Sequence, residues 1–115
     1  MTTNKNSTRY YSSRQEKKIA KDLGGKVVAN SGATLWSKGD VRLKNVLLEC
    51  KTHVTDKSSF SIKKEWLKTL KEEAIWSGKE YHALAFNFGP DQENYFIVPQ
   101  WMFELFLEKV EEKEE

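Results

Sequence analysis

Two short alternating runs separated by two residues constrain the fold more than any other feature of this chain. The runs are Gly39–Leu43 and Val46–Thr52, with Lys44 and Asn45 between them. Two alternating runs joined in this way are typical of a β-hairpin. Asn at the second turn position tolerates the positive φ that tight hairpin turns require. The sequence therefore predicts two antiparallel strands that turn at Lys44-Asn45.

The register of this hairpin brings two acidic residues face to face. If Leu43 opposes Val46, then Asp40 lies directly across from Glu49. Because side chains alternate along a strand, the hairpin has one apolar face that belongs on a core, formed by Val41, Leu43, Val46, Leu48, Cys50 and Thr52. The other face carries Asp40, Arg42, Leu47, Glu49 and Lys51.

A fold tolerates a directly opposed pair of carboxylates when a cation lies between them. Directly opposed residues have Cβ atoms about 4.5–5.5 Å apart, and like charges so placed destabilise a sheet. A hard divalent metal prefers oxygen ligands, and Lys51 lies one pleat from Glu49 as a second cation. The pattern therefore predicts a metal site at Asp40 and Glu49 with Lys51 beside it.

The same residues resemble the signature of a nuclease superfamily. Asp40, eight further residues and then Glu49-Cys50-Lys51 resemble the D-x(n)-E-x-K signature of the PD-(D/E)XK superfamily. The wider run, from Ser31-Gly32-Ala33 to Thr52, is similar to the archaeal and phage-type Holliday-junction resolvases of that superfamily. The resemblance covers residues 9–98, and Gly39 stands where the family name has a proline.

This resemblance implies a ligand set, a metal and a reaction. The implied ligands of Mg²⁺, for which Mn²⁺ is expected to substitute, are Asp40, Glu49, the backbone carbonyl of Cys50 and Glu16. A metal-activated water would attack phosphorus, and Lys51 would orient that water or stabilise the pentacoordinate charge. Ser31 would contact a phosphate or a metal-bound water. The products would carry 5′-phosphate and 3′-hydroxyl ends.

Some of these residues also have simpler structural interpretations. Glu16 fits a capping box with Ser13 at the first turn of a helix. Ser31 and Thr34 fit ordinary turn residues. Trp36 is either a core residue or a base-stacking wedge at a DNA branch.

Helices and strands alternate in the rest of the chain. The predicted elements around the hairpin are a helix from Tyr10 or Ser13 to Leu23, a strand Lys26–Asn30, a loop Ser31–Ser37, a helix from Ile62 to about Ser77, strands Glu80–Phe88 and Asn94–Val98, and a helix Gln100–Val110 opened by Pro99. This order predicts an α/β fold with a central mixed five-stranded sheet flanked by helices. By resemblance, the sheet forms a restriction-endonuclease-like core.

The final helix predicts a second subunit. Its apolar residues spread almost all round it, whereas a surface helix needs one apolar stripe: they are Trp101, Met102, Phe103, Leu105, Phe106, Leu107 and Val110. Two burial surfaces are implied, namely the domain core and a partner subunit. A four-way junction has two symmetric strands to cut, which also favours a C2 homodimer.

Charge favours a nucleic-acid partner. Residues 104–115 hold six Glu and two Lys, a net charge of −4, so residues 1–103 carry +6 of the overall +2. A basic surface is typical of proteins that bind a phosphate backbone, although Lys-rich solvated surfaces are ordinary. Lys63 and Lys64 are candidate DNA contacts, while His53 and His82 are more simply structural than catalytic.

Length and composition bound the class of protein. A chain of 115 residues predicts one domain, 1–115, with 1–8 and 111–115 as frayed tails. No apolar run reaches the length of about 20 residues that spans a bilayer, and no signal-peptide pattern is present. The single cysteine, Cys50, excludes an intramolecular disulfide and favours an intracellular, cytoplasmic location. A phage-encoded protein would act in the cytoplasm of its host.

The sequence thus predicts a Mg²⁺-dependent endodeoxyribonuclease that resolves four-way junctions in branched DNA. The alternatives are another nuclease of the superfamily, such as a nickase, a flap or branched-DNA nuclease or a restriction-type enzyme, and a non-catalytic DNA-binding domain of the same fold. A small structural domain, with Asp40 and Glu49 in water beside Arg42 and Lys51, is the simplest alternative.

Overall fold

The computed structural model describes residues 8–28 and 40–112, and of Thr8, Arg9 and Asp40 it describes the backbone alone. The elements, in chain order, are α1 (Thr8–Leu23), β1 (Lys26–Val27), β2 (Asp40–Arg42), β3 (Val46–Lys51), α2 (Lys64–Trp76), β4 (Tyr81–Phe86), β5 (Tyr95–Ile97) and α3 (Gln100–Val110). The strands form one sheet in the order β1-β2-β3-β4-β5. β3 and β4 are parallel, and every other neighbouring pair is antiparallel. The predicted α/β fold with a mixed five-stranded sheet is confirmed.

The sheet separates two apolar clusters. On one face α1 packs on β1, β2 and β3, with a cluster formed by Ile19, Ala20, Val41, Leu48, Cys50, Ala83 and Ala85. On the other face α2 packs on β3 and β4, with a cluster formed by Leu47, Leu70, Ala74 and Leu84. The alternation of the hairpin residues therefore sends Leu48 and Leu47 to opposite faces, as the sequence predicts.

Two glycines turn the chain from α1 into the sheet. Gly24 adopts φ +76°, which favours glycine, and the Gly25 amide donates to the Ala20 carbonyl at 2.9 Å. This bond closes the Schellman motif that ends many helices. A Cβ at Gly25 would lie 2.9 Å from the Arg42 carbonyl oxygen. The predicted helix end at Leu23 is confirmed, and the glycines let β1 start directly beside β2.

The start of α1 differs from the prediction. The helix begins at Thr8 rather than at Tyr10 or Ser13. Ser13 and Glu16 therefore lie inside the helix, where the backbone amides already have helical partners. The capping-box interpretation is wrong, because it requires Ser13 at the helix terminus.

The remaining element bounds follow the predictions with shorter strands. β1 ends at Val27, while Asn30 and the loop Ser31–Ser37 lie outside the described residues. α2 is confirmed and is followed by Gly78 at φ +73°. Helical periodicity predicts an apolar stripe on this helix formed by Ile62, Trp66, Leu67, Leu70 and Ala74, with Glu73 on the solvated face. The prediction for Glu73 is wrong, since this residue is 9% exposed. Glu73 lines a cavity together with Arg42 of β2, and helical periodicity alone does not reveal that neighbour.

The position of α3 corrects a further expectation. The helix spans Gln100–Val110 as predicted, but none of its residues is buried. Burial against the domain core is confined to its first turn, where the Trp101 ring lies 5.9 Å from that of Tyr81 and 6.5 Å from that of His82. Within residues 8–28 and 40–112, no helix is long and apolar enough to cross a membrane.

His82 makes the stability of the fold depend on pH. Burial lowers its pKa from the ordinary value, and the positive charge of Lys71 lowers it further. The unfolded chain therefore binds a proton more readily than the native state, and the free energy of unfolding falls as pH drops below about 6.5. The loss is at most about 1.4 kcal/mol per pH unit until the native pKa is reached.

We expect a His82→Phe variant to lose this dependence. Melting temperatures measured from pH 7.5 to pH 5 should fall more steeply for the wild-type chain than for the variant. Parallel curves for the two proteins would remove His82 as the responsible group.

Candidate functional site

The predicted hairpin register is confirmed. The Leu43 amide donates to the Val46 carbonyl at 2.9 Å across the turn, and Asp40 pairs with Glu49. Antiparallel pairs alternate between hydrogen-bonded and non-hydrogen-bonded positions. Counting from Leu43 and Val46, the Asp40–Glu49 pair is non-hydrogen-bonded. This is the closer kind, with Cα atoms about 4.5 Å apart. The side chain of Asp40 is outside the described part of the chain, so the backbone places the position and no more.

Glu49 and Lys51 form the described part of the site. Their charged groups approach to 3.3 Å, and the Glu49 and Lys51 side chains are 18% and 28% exposed. The Lys51 ammonium also lies 4.3 Å from the centre of the Trp66 ring on α2. A cation over an aromatic face is attracted by the ring quadrupole. Lys51 is therefore held between a carboxylate and an indole, with its position fixed from two sides.

A second ammonium group shares the Trp66 ring. The Lys63 ammonium lies 5.8 Å from the ring centre. Lys63, predicted as a DNA contact, thus lies on the same flank of the sheet as Lys51. Two cations around a partly exposed ring suit a polyanionic ligand. The sequence placed Trp66 on the apolar stripe of the helix, and no local pattern reveals its contact with Lys51, fifteen positions away.

Cys50 contributes differently through its side chain and its backbone. The thiol side chain is buried in the cluster under α1, which supports a packing role. In an antiparallel pair the carbonyls of successive residues point to opposite sides of the strand. Since the Val46 carbonyl accepts from Leu43 of the hairpin partner, the Cys50 carbonyl also points toward the β2 side. Its predicted role as a metal ligand requires that direction.

Glu16 lies on the other face of the sheet. It is 9% exposed and belongs to the stripe of α1 that includes Ile19 and Ala20, so it points toward the sheet as predicted. The neighbouring Gln15 donates to the Lys51 carbonyl at 2.7 Å, which places Glu16 near the same end of β3. Glu49 and Lys51 nevertheless project to the α2 face. A shared ion would have to lie beyond the end of β2, and the metal role of Glu16 stays a prediction.

A network of side-chain hydrogen bonds connects the end of β3 to α1 and to the turn between β4 and β5. The Gln15 amide donates to Asn94 at 3.0 Å, the Asn87 amide donates to the same Asn94 oxygen at 3.2 Å, and Thr52 donates to Asn87. These bonds join α1, the residue after β3, and the turn between β4 and β5. Sequence reasoning missed the network, because its members lie 7 to 79 positions apart.

The α2 face has an open side next to the site. Because α2 packs on β3 and β4, the edge formed by β1 and β2 has no described helix above it on this face. A cavity of about 520 Å³ lies there, lined by Arg42, Glu73, Trp76 and Ser77. Trp76 is 88% exposed. Trp76 lies outside the apolar stripe of α2, and this outward position is the one sequence signal that could have identified it as a candidate functional residue.

The other predicted residues fall in two groups. The His53 ring packs on Phe60 with centroids 4.6 Å apart, which favours the structural interpretation. Ser31, Thr34 and Trp36 lie outside the described residues, and their roles stay predictions. Among the described side chains, which do not include Asp40, no three His, Cys, Asp or Glu residues come together to hold a metal. The candidate centre therefore depends on Asp40.

Comparisons with protein-family models, with curated proteins and with solved structures find no match to this chain.

We expect Mn²⁺ or Mg²⁺ to stabilise the protein through Asp40 and Glu49. A ligand present at 100 times its Kd raises the free energy of unfolding by about 2.7 kcal/mol, so the melting temperature should rise with added metal. Asp40→Asn and Glu49→Gln should both abolish that rise. Asp40→Asn should do so without lowering the metal-free melting temperature, because it removes one of two like charges, whereas Glu49→Gln also loses the ion pair with Lys51 and should melt somewhat lower. A Glu72→Gln variant, changed at an exposed residue of α2, serves as the control. An equal metal response in all four proteins would contradict the site.

Proposed function

We propose that this protein is a metal-dependent endonuclease that cuts branched DNA and resolves four-way junctions. The observation that carries the proposal is the register that sets Asp40 opposite Glu49, with the Lys51 ammonium 3.3 Å from the Glu49 carboxylate. Two acidic positions and a lysine on one face of a hairpin are the parts that phosphodiester hydrolysis needs. Their spacing resembles the D-x(n)-E-x-K signature of the PD-(D/E)XK nucleases.

The residues present fit a hard divalent ion. Asp40, Glu49 and the Cys50 carbonyl would supply oxygen ligands, which Mg²⁺ prefers and which Mn²⁺ also accepts. When bound, the ion would supply an acidified water and positive charge next to the phosphate. Lys51 would stabilise the charge that develops on the phosphoryl oxygens. Because Glu49 and Trp66 fix its ammonium before substrate arrives, little reorganisation is needed at the moment of reaction.

The cavity lined by Arg42, Glu73, Trp76 and Ser77 offers a path for a DNA strand. Arg42 lies two residues along β2 from Asp40, a distance of about 6.7 Å at the rise of a β-strand, and it projects toward the same face. Lys63 marks the other end of the site. A strand that passes Lys63, the metal and Arg42 would meet Trp76, whose exposed ring can stack on a base. The net charge of +6 on residues 1–103 favours this partner.

The fold and the charge are consistent with the restriction-endonuclease-like core that the resemblance implies. A helix precedes the catalytic hairpin in the chain, the hairpin lies in the middle of a mixed sheet, and β4 pairs in parallel with β3. Four-way junctions present two symmetric strands, so we propose that the active form is a homodimer with two such sites.

Cleavage of defined substrates tests the proposal. We expect symmetric nicks in a labelled four-way junction in the presence of Mg²⁺, and little cleavage of linear duplex. Asp40→Asn, Glu49→Gln and Lys51→Ala should each lower the cleavage rate about a thousandfold or more, since each removes a charge worth several kcal/mol in the transition state. Junction binding, measured by gel shift in Ca²⁺, should persist in the two carboxylate variants, because phosphate repulsion falls.

The control is again Glu72→Gln, which should cleave like the wild-type chain. Equal cutting of duplex and junction would instead favour a general nuclease of the same fold. Binding without cutting in Mg²⁺ or Mn²⁺ would favour a non-catalytic DNA-binding domain. Full activity of Asp40→Asn or Glu49→Gln would remove that residue from the site.

A further inference from the structure

α3 is a helix that the described part of its own chain leaves uncovered. None of its residues is buried, although it has 11 residues in regular helix. An isolated helix shorter than about 12–15 residues is marginal in water, so α3 needs a surface that packs against it. Its ring contacts with the body, among the described residues, involve Trp101 in the first turn.

The exposed side chains of α3 are large and apolar. Between 38% and 55% of each remains accessible in Trp101, Phe103, Leu105, Phe106, Leu107 and Val110. A helix that is apolar nearly all round is typical of a buried element. An exposed apolar surface of this extent marks an interaction site.

The rest of the domain carries a groove that suits such a helix. It lies between α2 and the end of β5 and encloses about 380 Å³. Its apolar lining is formed by Leu67, Leu70, Ile97, Val98 and Pro99. Its rim on α2 carries three lysines, Lys64, Lys68 and Lys71.

The charges of the helix and the groove are complementary in sign and in spacing. The three rim lysines stand at i, i+4 and i+7 along α2, and the same spacing joins Glu104 and Glu108 of α3 with Glu111, the residue directly after the helix. Residues at these intervals share one helix face. Each line of charges is about 10 Å long at the rise of an α-helix. An acidic ridge on α3 can thus lie along a basic ridge of equal length.

We propose that α3 of one copy docks into this groove of a second copy, and that the exchange is reciprocal, giving a C2 homodimer. The chain's own α3 lies beside its groove through the first turn, where the Trp101 ring is 6.5 Å from that of His82 in the groove lining, and the later apolar side chains of the helix remain exposed. Two docked helices would bury on the order of 1,000 Å² or more, within reach of a stable interface. This inference specifies the surface of the proposed homodimer and does not depend on nuclease chemistry.

The mass of the full-length protein in solution, measured without DNA or metal, tests the exchange. We expect a dimer by light scattering at micromolar concentration, and a monomer for the double variant Phe103→Ser/Phe106→Ser. Both phenylalanines are about half exposed in the single chain, so the body should keep its circular dichroism and fold. Ile75→Ser, changed at an equally apolar residue that is 68% exposed on α2 outside the groove, should remain dimeric.

Charge reversal identifies the occupant of the groove. The triple variant Glu104→Lys/Glu108→Lys/Glu111→Lys should dimerise roughly tenfold or more weakly, and so should Lys64→Glu/Lys68→Glu/Lys71→Glu. Mixing the two variants should restore a dimer that contains one chain of each kind, since both of its helix–groove contacts then pair opposite charges.

Three outcomes would overturn the proposal. The first is a monomeric wild-type chain at about 100 μM, where a Kd near 1 μM would give a dimer. The second is a pair of charge-reversed variants that each dimerise like the wild-type chain. The third is a mixture that forms no heterodimer. A monomeric wild-type chain would also contradict the homodimer of the proposed function, but none of the three outcomes bears on metal-dependent cleavage, so failure of this inference and failure of the nuclease chemistry are distinguishable.

Discussion

The hydrogen bond that closes the β2–β3 turn fixes the register on which the core face of the hairpin and the candidate site both depend. Because the Leu43 amide donates to Val46, the register of the hairpin is fixed, and a shift of one residue would send every side chain to the opposite face. The same bond makes Asp40–Glu49 a close pair. It also directs the Cys50 carbonyl toward β2. A two-residue turn thus determines the core and the candidate metal ligands together.

The α1 face of the sheet serves packing, and the open part of the α2 face carries the candidate site. The α1 face is covered by a helix and holds the buried side of the hairpin, including Val41 and Leu48. Among residues 8–28 and 40–112, the α2 face is covered by a helix over β3 and β4 alone, which leaves the charged groups next to β2 without a described helix above them. Lys51 joins the two regions, with its ammonium packed on Trp66 at the border of the core. A ligand that enters from the open side meets cations already held in position.

Much of this arrangement follows from local sequence patterns, and the remainder depends on distant contacts. Strand alternation and the turn residues predicted the hairpin register, and Gly24, Gly78 and Pro99 predicted helix boundaries, because these signals act over a few residues. The burial of Glu73 and the support of Lys51 by Trp66 were not predictable, since each depends on how α2 crosses the sheet. The apolar circumference of α3 correctly indicated an unusual helix. It gave no indication that none of the residues of this helix would be buried against its own core.

An anomalous difference map from a crystal soaked in Mn²⁺ would locate the metal. We expect one strong peak between β2 and β3, within about 2.5 Å of carboxylate oxygens of Asp40 and Glu49 and of the Cys50 carbonyl oxygen, with the Lys51 ammonium beside it. The absence of a peak at millimolar Mn²⁺, or the two carboxylates turned to separate surfaces, would contradict it.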